Sequence, residues 1–388
     1  MESAQSWQLD RQALEDILQG ACFLGSGGGG PLSGGSMLID VILKQADSVA
    51  VADPAEVPAD AMLASVAGLG SPDAASHSAD PFSHGPLHAF DLLEQSIGST
   101  FSYVIPAEVG AMNSMVPILV AAQKGLAVID GDGAGRAIPE LPMSCFNAEA
   151  PIDPFVIANE TATATHDIRT VVHTALPSDV DQIARGIVGS PSFGEEGAFA
   201  SWAMGGDTMR RVAVARTLSL AQTIGAAIRL AKAGGSDPVA AVLNELGSRA
   251  FVLYQGALLA SDEQSSGGFD VGRVSLQGQD GSQAWIYNLN ENMIAWRTDW
   301  AVPLAMGPDS ICYITADGQP LSNADITADM AGTEIVLIGI RADDKMRSPA
   351  IVGSFEEVFR SIATPDPIPL SSNCRVNRAV VHGMCYKL

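Results

Sequence analysis

The chain has 388 residues, of which 47% are hydrophobic and 17% charged, and its formal net charge at pH 7 is -23. That length is too great for one comfortable core, so we expect two domains. A strongly negative chain repels nucleic acid and anionic membrane surfaces, so neither is an expected partner. The sequence has no apolar run long enough for a membrane-spanning helix and no secretory pattern at its start, which favours a cytoplasmic protein.

The cysteines agree with a reducing compartment. They are odd in number, scattered, and never spaced as a C-x-x-C pair: Cys22, Cys145, Cys312, Cys374 and Cys385. This pattern argues against a disulfide scaffold and against a cysteine zinc site. Each is predicted to be a small buried side chain. Cys22, beside a glycine-rich segment, is the one with a functional alternative as a reactive thiol.

The first part of the chain, residues 1–165, alternates strands with helices. Such alternation predicts an α/β domain with a parallel or mixed sheet covered by helices. Asp10 is a candidate N-cap, and Gly20 is expected to end the first helix. The predicted helices span residues 10–19, 35–45, 87–97 and 113–124, and the predicted strands span 48–52, 62–67, 101–105, 126–129 and 155–159.

The second part, residues 166–388, changes character. It predicts a β-rich α+β domain with one long helix at residues 207–233, where apolar residues recur with a helical period. Further helices are expected at residues 179–188 and 237–246. Short strands are predicted at residues 168–174, 251–259, 269–276, 284–290, 310–315 and 334–340.

A glycine-rich segment occupies residues 25–30 and formally matches G-x-G-x-x-G. A dinucleotide loop follows a strand, whereas a helix is predicted before this one, and the Lys-Ser/Thr ending of a P-loop is missing. We therefore expect no nucleotide cofactor. Consecutive glycines expose backbone amides that can face an anion or a carbonyl oxygen. Gly27, Gly28, Gly29 and Gly30 are thus predicted to bind substrate.

Acidic and basic residues cluster in a second glycine-rich stretch. Carboxylates on a turn held by apolar segments can bind a metal, act as acid or base, or clamp a small polar ligand, although a solvated loop is the alternative. An EF-hand is excluded because the required fifth and last ligands are missing. Arg136 could pair with Glu140 or bind a substrate carboxylate. The predicted catalytic residues are Glu108, Asp130, Asp132, Arg136 and Glu140.

Other polar groups are weaker signals. Residues 290–292, Asn-Glu-Asn, end a predicted strand and offer donors and acceptors, although a plain β-turn is the alternative. His84 and His88 have the spacing of two helical metal ligands, but Gly-Pro lies between them, which favours a capping or solvent-facing role. His166 lies near a predicted strand where it could reach a cleft as base or ligand.

Several of these segments together resemble one family, the S-methyl-thiohydantoin desulfurases. The matching segments are residues 24–30, 106–113, 130–140, 267–272 and 290–292. The resemblance implies an α/β N-terminal domain, a β-rich C-terminal domain and a link to hydantoin catabolism. It also implies hydrolysis of a thiohydantoin carbon–sulfur bond, with zinc present in at least some members.

The function expected from the residues and the resemblance is hydrolysis of a small cyclic amide or thio-imidate. Water would add to the ring carbon that bears sulfur, and a thiol would leave. The base would be Glu108 or Asp130, with Asp132 as its partner and Arg136 as a carboxylate clamp. Asn113, Asn290 and Glu291 join the glycines as predicted substrate-binding residues.

Zinc or another divalent metal is a possible cofactor, with Asp130, Asp132 and His166 as candidate ligands. The alternative function is a non-catalytic ligand-binding or subunit-type partner of a hydantoinase- or oxoprolinase-like enzyme. The expected partner is a small-molecule substrate, and a homo-oligomer is possible.

Overall fold

The structure, a computed structural model, describes residues 7–70, 82, 84–160, 167–194, 196–266 and 269–362. In these residues the helices longer than one turn are α1 (Arg11–Leu24), α2 (Leu32–Gln45), α3 (Gly85–Ile97), α4 (Ala111–Lys124), α5 (Pro177–Val188), α6 (Gly206–Val212), α7 (Thr217–Gly234), α8 (Pro238–Leu246) and α9 (Pro349–Ile362).

The strands up to residue 215 are β1 (Trp7–Leu9), β2 (Val49–Ala52), β3 (Met62–Gly70), β4 (Tyr103–Pro106), β5 (Ala127–Ile129), β6 (Gly131–Asp132), β7 (Phe155–Asn159), β8 (Arg169–Val172), β9 (Glu196–Gly205) and β10 (Val214–Ala215). The later strands are β11 (Ala250–Ser266), β12 (Phe269–Gln277), β13 (Gln283–Leu289), β14 (Glu291–Arg297), β15 (Ala305–Met306), β16 (Ser310–Thr315), β17 (Pro320–Leu321) and β18 (Glu334–Ile340).

The first sheet is mixed. Its strand order is β1-β2-β5-β4-β3-β9-β7-β8. The pairs joining β2, β5, β4 and β3 are parallel, whereas β1 and the β9-β7-β8 group pair antiparallel. Helices α3 and α4 pack on this sheet and bury an apolar core. The carboxyl ends of β3, β4 and β5 therefore meet at one edge, the usual place for a ligand in such sheets.

The second sheet is antiparallel throughout. Its strand order is β15-β14-β13-β12-β11-β18-β16-β17. A mixed sheet with helices followed by a mostly antiparallel sheet confirms the predicted fold class. The predicted division after residue 165 stays a prediction, and the first sheet itself continues to Gly205.

Helix α1 confirms its predicted start but not its predicted end. Asp10 caps it, because its carboxylate accepts the backbone N–H of Ala13 at 2.9 Å. Gly20 does not stop the helix, which continues to Leu24. A side chain at Gly20 would place its Cβ 1.8 Å from the backbone oxygen of Ala221 in α7. The glycine therefore serves the close approach of two helices rather than a turn.

The predicted single helix at residues 207–233 is wrong. It consists of α6, the short strand β10 and α7. β10 pairs antiparallel with β6, and Arg216 adopts a left-handed conformation with φ of +66° just before α7 begins. The pairing with β6 interrupts the helix, whereas the apolar pattern continues across the break because all three elements are partly buried.

Further elements were not predicted from the sequence, among them β9, β14 and α9. β9 lies in the middle of the first sheet, β14 continues directly from the turn after β13, and α9 follows the second sheet. β9 is buried on both faces and its Gly-, Ala- and Ser-rich sequence has no period of two. None of the helices in the described residues is long and apolar enough to cross a membrane.

Candidate functional site

A cavity of about 780 Å³ lies at the carboxyl ends of β3 and β4. The last residues of β3 and the segment after β4 form one wall, α5 and β9 form another, and the β12 start and the β13–β14 turn of the second sheet close the far side. Residues from both sheets thus contribute to one hollow of the size that small-molecule sites have.

Glu108 is the acidic residue best placed on this wall. It follows β4, and its side chain is 8% exposed. Its Oε1 accepts an N–H of the Asn113 amide at 2.7 Å, and its Oε2 accepts the backbone N–H of Ile138 at 2.8 Å. Burial raises the pKa of Glu108 to about 7, although both hydrogen bonds favour the charged form. The carboxyl can therefore exchange a proton near neutral pH.

The predicted substrate-binding residues Asn113, Asn290 and Glu291 also line the cavity. Asn113 lies in the first turn of α4, and its amide oxygen accepts the backbone N–H of Gly68 at 3.1 Å. Asn290 has φ of +56° in the β13–β14 turn, where its side chain accepts the backbone N–H of Asp270 at 2.8 Å. That turn directs Glu291 into the space between the two sheets.

The glycine-rich segment forms a tight junction between the two halves. A Cβ at Gly28 would lie 2.0 Å from Oε1 of Glu291. The backbone oxygen of Gly27 accepts the backbone N–H of Asn323 at 2.7 Å. Only Gly29 and Gly30 of this segment line the cavity within the described part of the chain. The expected contact of Gly27 and Gly28 with substrate is therefore not supported.

Asp130 and Asp132 lie behind the cavity rather than on its wall, as far as the described ranges show. Asp130 accepts the backbone N–H of Ser219 at 3.0 Å in the first turn of α7. Asp132 accepts the backbone N–H groups of Ala134 and Gly135. Burial raises the pKa of both carboxyls, that of Asp132 to about 6. These contacts are those of a helix cap and a turn.

Arg136 is fully buried and binds the second half of the chain through backbone oxygens. Its guanidinium donates to the carbonyl oxygens of Asn292 at 2.9 Å and Asp309 at 2.8 Å. It also lies over the ring of Phe355, 5.6 Å from the centroid. These contacts hold the Arg136 guanidinium outside the cavity lining, so they do not support the expected carboxylate clamp. Glu140 does line the cavity.

The expected zinc site does not assemble from the side chains that can be described. No group of three or more His, Cys, Asp or Glu side chains suited to a metal occurs among the described residues. Asp130 and Asp132 both use carboxylate oxygens to accept backbone amides. His166, the third candidate, lies outside the described residues. Zinc therefore stays a prediction.

The cavity wall includes residues that the sequence analysis missed. Arg185 in α5 pairs with Asp181 at 2.7 Å, and its guanidinium stacks 3.6 Å from the ring centroid of Phe269. Phe199 and Trp202 of β9 supply an aromatic surface. The i, i+4 spacing of Asp181 and Arg185 was visible in the sequence, but such pairs are ordinary on exposed helices. Cys22 is buried, and burial raises its pKa well above the usual range, which does not favour a reactive thiol.

The amino-acid sequence matches two domain families along most of its length. Residues 12–166 match the S-Me-THD-like N-terminal domain, and residues 176–354 match the S-Me-THD-like C-terminal domain. A crystal structure of a structural-genomics protein from Chromobacterium violaceum is 29% identical, with a TM-score of 0.79. The alignment covers 93% of this chain and 99% of that one. No curated protein matches the chain.

Proposed function

The chain belongs to the S-Me-THD-like family, and from that premise we propose that it hydrolyses a five-membered cyclic thio-imidate or amide, as in an S-methyl-thiohydantoin or hydantoin. The family supplies the reaction class. The observation that carries the proposal is Glu108, a carboxyl with a pKa of about 7 on the wall of a cavity that both sheets close.

Glu108 suits the role of general base. A base is most effective when its pKa lies near the working pH, because a useful fraction is ionised and its proton affinity is still high. The hydrogen bond from Asn113 holds the carboxyl in one orientation, and the cavity offers room for water and a ring beside it. A solvated loop carboxylate would have neither property.

The proposed reaction consumes one water and releases one thiol. Glu108 takes a proton from water as the water oxygen bonds to the ring carbon that bears sulfur. The electron pair of the C=N bond moves to the ring nitrogen, which takes up a proton. The tetrahedral carbon then forms C=O as the C–S bond breaks, and the sulfur leaves as a thiol with one further proton. The products are the hydantoin ring and the thiol.

Thiol release from S-methyl-thiohydantoins, followed with a thiol-reactive dye, tests the proposal. Hydantoins without sulfur are assayed in parallel for ring opening. Wild-type protein should turn over at least one of these rings, and Glu108→Gln should lose about 100-fold or more in kcat. Glu245→Gln, at an exposed position of α8, is the matched control and should keep full activity. A wild type inactive on every ring overturns the proposal.

One observation favours the second candidate, a binding protein without turnover. Both carboxyl oxygens of Glu108 already accept protein hydrogen bonds, from Asn113 and Ile138. A carboxyl held in this way is also suited to accept one donor of a bound ring. Calorimetric titration with the same compounds separates the candidates, since binding at stoichiometry with no product favours the binding role.

A further inference from the structure

Glu291 faces the same cavity as Glu108 but comes from the other sheet. It follows the β13–β14 turn, whereas Glu108 follows β4 of the first sheet. Only 4% of Glu291 is exposed. A ring bound in the cavity would therefore meet one carboxyl from each half of the chain. Two carboxyls that flank a substrate commonly divide the roles of base and acid.

The Glu291 carboxyl carries an unused polar atom. Its Oε2 is buried and makes no hydrogen bond with any described residue. A buried oxygen without a partner is unfavourable for folding, so such an atom calls for an explanation by a ligand or a reaction. An oxygen that no described group occupies is free to bear a proton and present it to a bound ring.

The surroundings of Glu291 favour its neutral form. Burial, and then the nearby charge of Glu108, raise its pKa well above the usual range. Arg136 and Arg185 act in the opposite direction. Burial and the charge of Glu108 outweigh the two guanidinium groups, so the net direction is upward. The two carboxyls therefore differ, with Glu108 titrating near neutrality and Glu291 retaining its proton.

The backbone around Glu291 is fixed from several directions. Arg136 binds the carbonyl of Asn292, and Asn323 donates to the carbonyl of Asn290 at 2.8 Å. Gly28 packs directly on the Glu291 side chain. The carboxyl thus has little freedom to turn away from the cavity, and a group that delivers a proton at a defined atom needs such restraint.

We propose that Glu291 is the acid that protonates the departing sulfur, a role that rests on the hydrolysis proposed above. As the C–S bond breaks, the Glu291 O–H proton passes to sulfur and the bonding electron pair stays on sulfur. As C=O forms, the hydroxyl on the tetrahedral carbon gives its proton to Glu291, either directly or through a water molecule. The proton that Glu108 took from water goes to the ring nitrogen, so both carboxyls return to their starting forms.

The test varies the leaving group on one ring. An S-methyl group leaves as a basic thiolate that needs a proton, whereas an S-(4-nitrophenyl) group leaves as a stable anion. Glu291→Gln should lose about 100-fold in kcat on the S-methyl ring and only a few-fold on the S-(4-nitrophenyl) ring. Glu108→Gln should lose activity on both rings, because water attack needs the base in each case.

Retained turnover of the S-(4-nitrophenyl) ring also reports that Glu291→Gln is folded. A second measurement is independent of turnover. The infrared difference between wild type and Glu291→Gln at pH 7 should contain the C=O stretch of a protonated carboxyl, and Glu245→Gln should lack this difference. Equal losses on the two rings, or no protonated-carboxyl band, overturn the role of Glu291 alone. A wild type that cleaves neither ring overturns the hydrolysis and this role together.

Discussion

The side-chain amide of Asn113 donates to Oε1 of Glu108 over 2.7 Å, and its oxygen accepts the backbone N–H of Gly68. The amide orientation is thereby fixed by β3, and the Asn113 N–H must point at the carboxyl. The direction of the Glu108 carboxyl in the cavity is therefore set by Asn113 in the first turn of α4, which is itself held by the end of β3.

Replacing this donor with a second acid should raise the pKa of Glu108. In Asn113→Asp the hydrogen bond that favours the charged form is lost, and a like charge is placed beside the carboxyl. We expect the Glu108 carboxyl carbon, followed by NMR, to titrate at least one pH unit above wild type. Asn244→Asp, at an exposed position of α8, adds the same charge and should leave that titration unchanged. An unshifted Glu108 in Asn113→Asp would contradict the contact.

Stability should fall as the pH rises through the range in which Glu108 loses its proton. Its pKa is raised from 4.5 to about 7, so the folded protein holds a proton that the unfolded chain has lost between those values. The stabilising contribution is complete below pH 4.5 and is lost as pH approaches 7. The unfolding free energy should therefore fall less steeply with pH in Glu108→Gln, by up to about 1.4 kcal/mol per pH unit.

Urea unfolding of wild type, Glu108→Gln and Glu245→Gln between pH 5 and 8 measures this slope. Glu245 is exposed, so its replacement should leave the slope as in wild type. Other buried carboxyls, such as Asp132 with a pKa of about 6, keep part of the slope in every variant. A Glu108→Gln slope equal to that of wild type would show that Glu108 titrates normally.

The contact of the glycine-rich segment with the start of α4 should not tolerate one added methyl group. A Cβ at Gly110 would lie 2.3 Å from the Cα of Gly29, although Gly110 itself has an extended φ of -176°. The penalty of Gly110→Ala is thus crowding, and we expect a loss of about 1–3 kcal/mol in unfolding free energy. Gly234→Ala, in the last turn of α7 with open space around it, should be neutral or slightly stabilising. Equal effects would contradict the close approach.

Arg136 should be irreplaceable by lysine. A single ammonium group cannot reach the separated carbonyls of Asn292 and Asp309 at once, so at least one buried oxygen loses its partner. We expect Arg136→Lys to lose about 2–3 kcal/mol in denaturant unfolding. Arg249→Lys, at an exposed position, should lose almost nothing. Wild-type stability in Arg136→Lys would show that the junction does not depend on the guanidinium.

The sequence predicted the fold class well because its signals are local. Asp10 marks the start of α1, and short apolar runs between the predicted helices mark β3, β4 and β5. The sequence did not predict features that depend on contacts between distant parts of the chain. Gly20 resembles a stop but permits contact with Ala221, and β10 splits a continuous helical period because it pairs with Asp132 of β6.

The candidate site was predicted only in part, for a related reason. Residue type and spacing predicted catalytic acids in the glycine-rich turns. Two of these acids, Glu108 and Glu140, do line the cavity. The same pattern selected Asp130 and Asp132, whose carboxylates accept backbone amides behind it. Which carboxylate faces a cavity depends on the packing of the second half of the chain, and the motif does not contain that information.

The most direct test of the central claim is the pH dependence of kcat/KM for thiol release from an S-methyl-thiohydantoin. If Glu108 is the base, the rate should rise with pH and level off above an apparent pKa near 7, because only the ionised carboxyl accepts a proton from water. The Asn113→Asp variant should move that midpoint upward. A rate that is flat from pH 5 to 9, or a midpoint unaltered in the variant, would contradict the account.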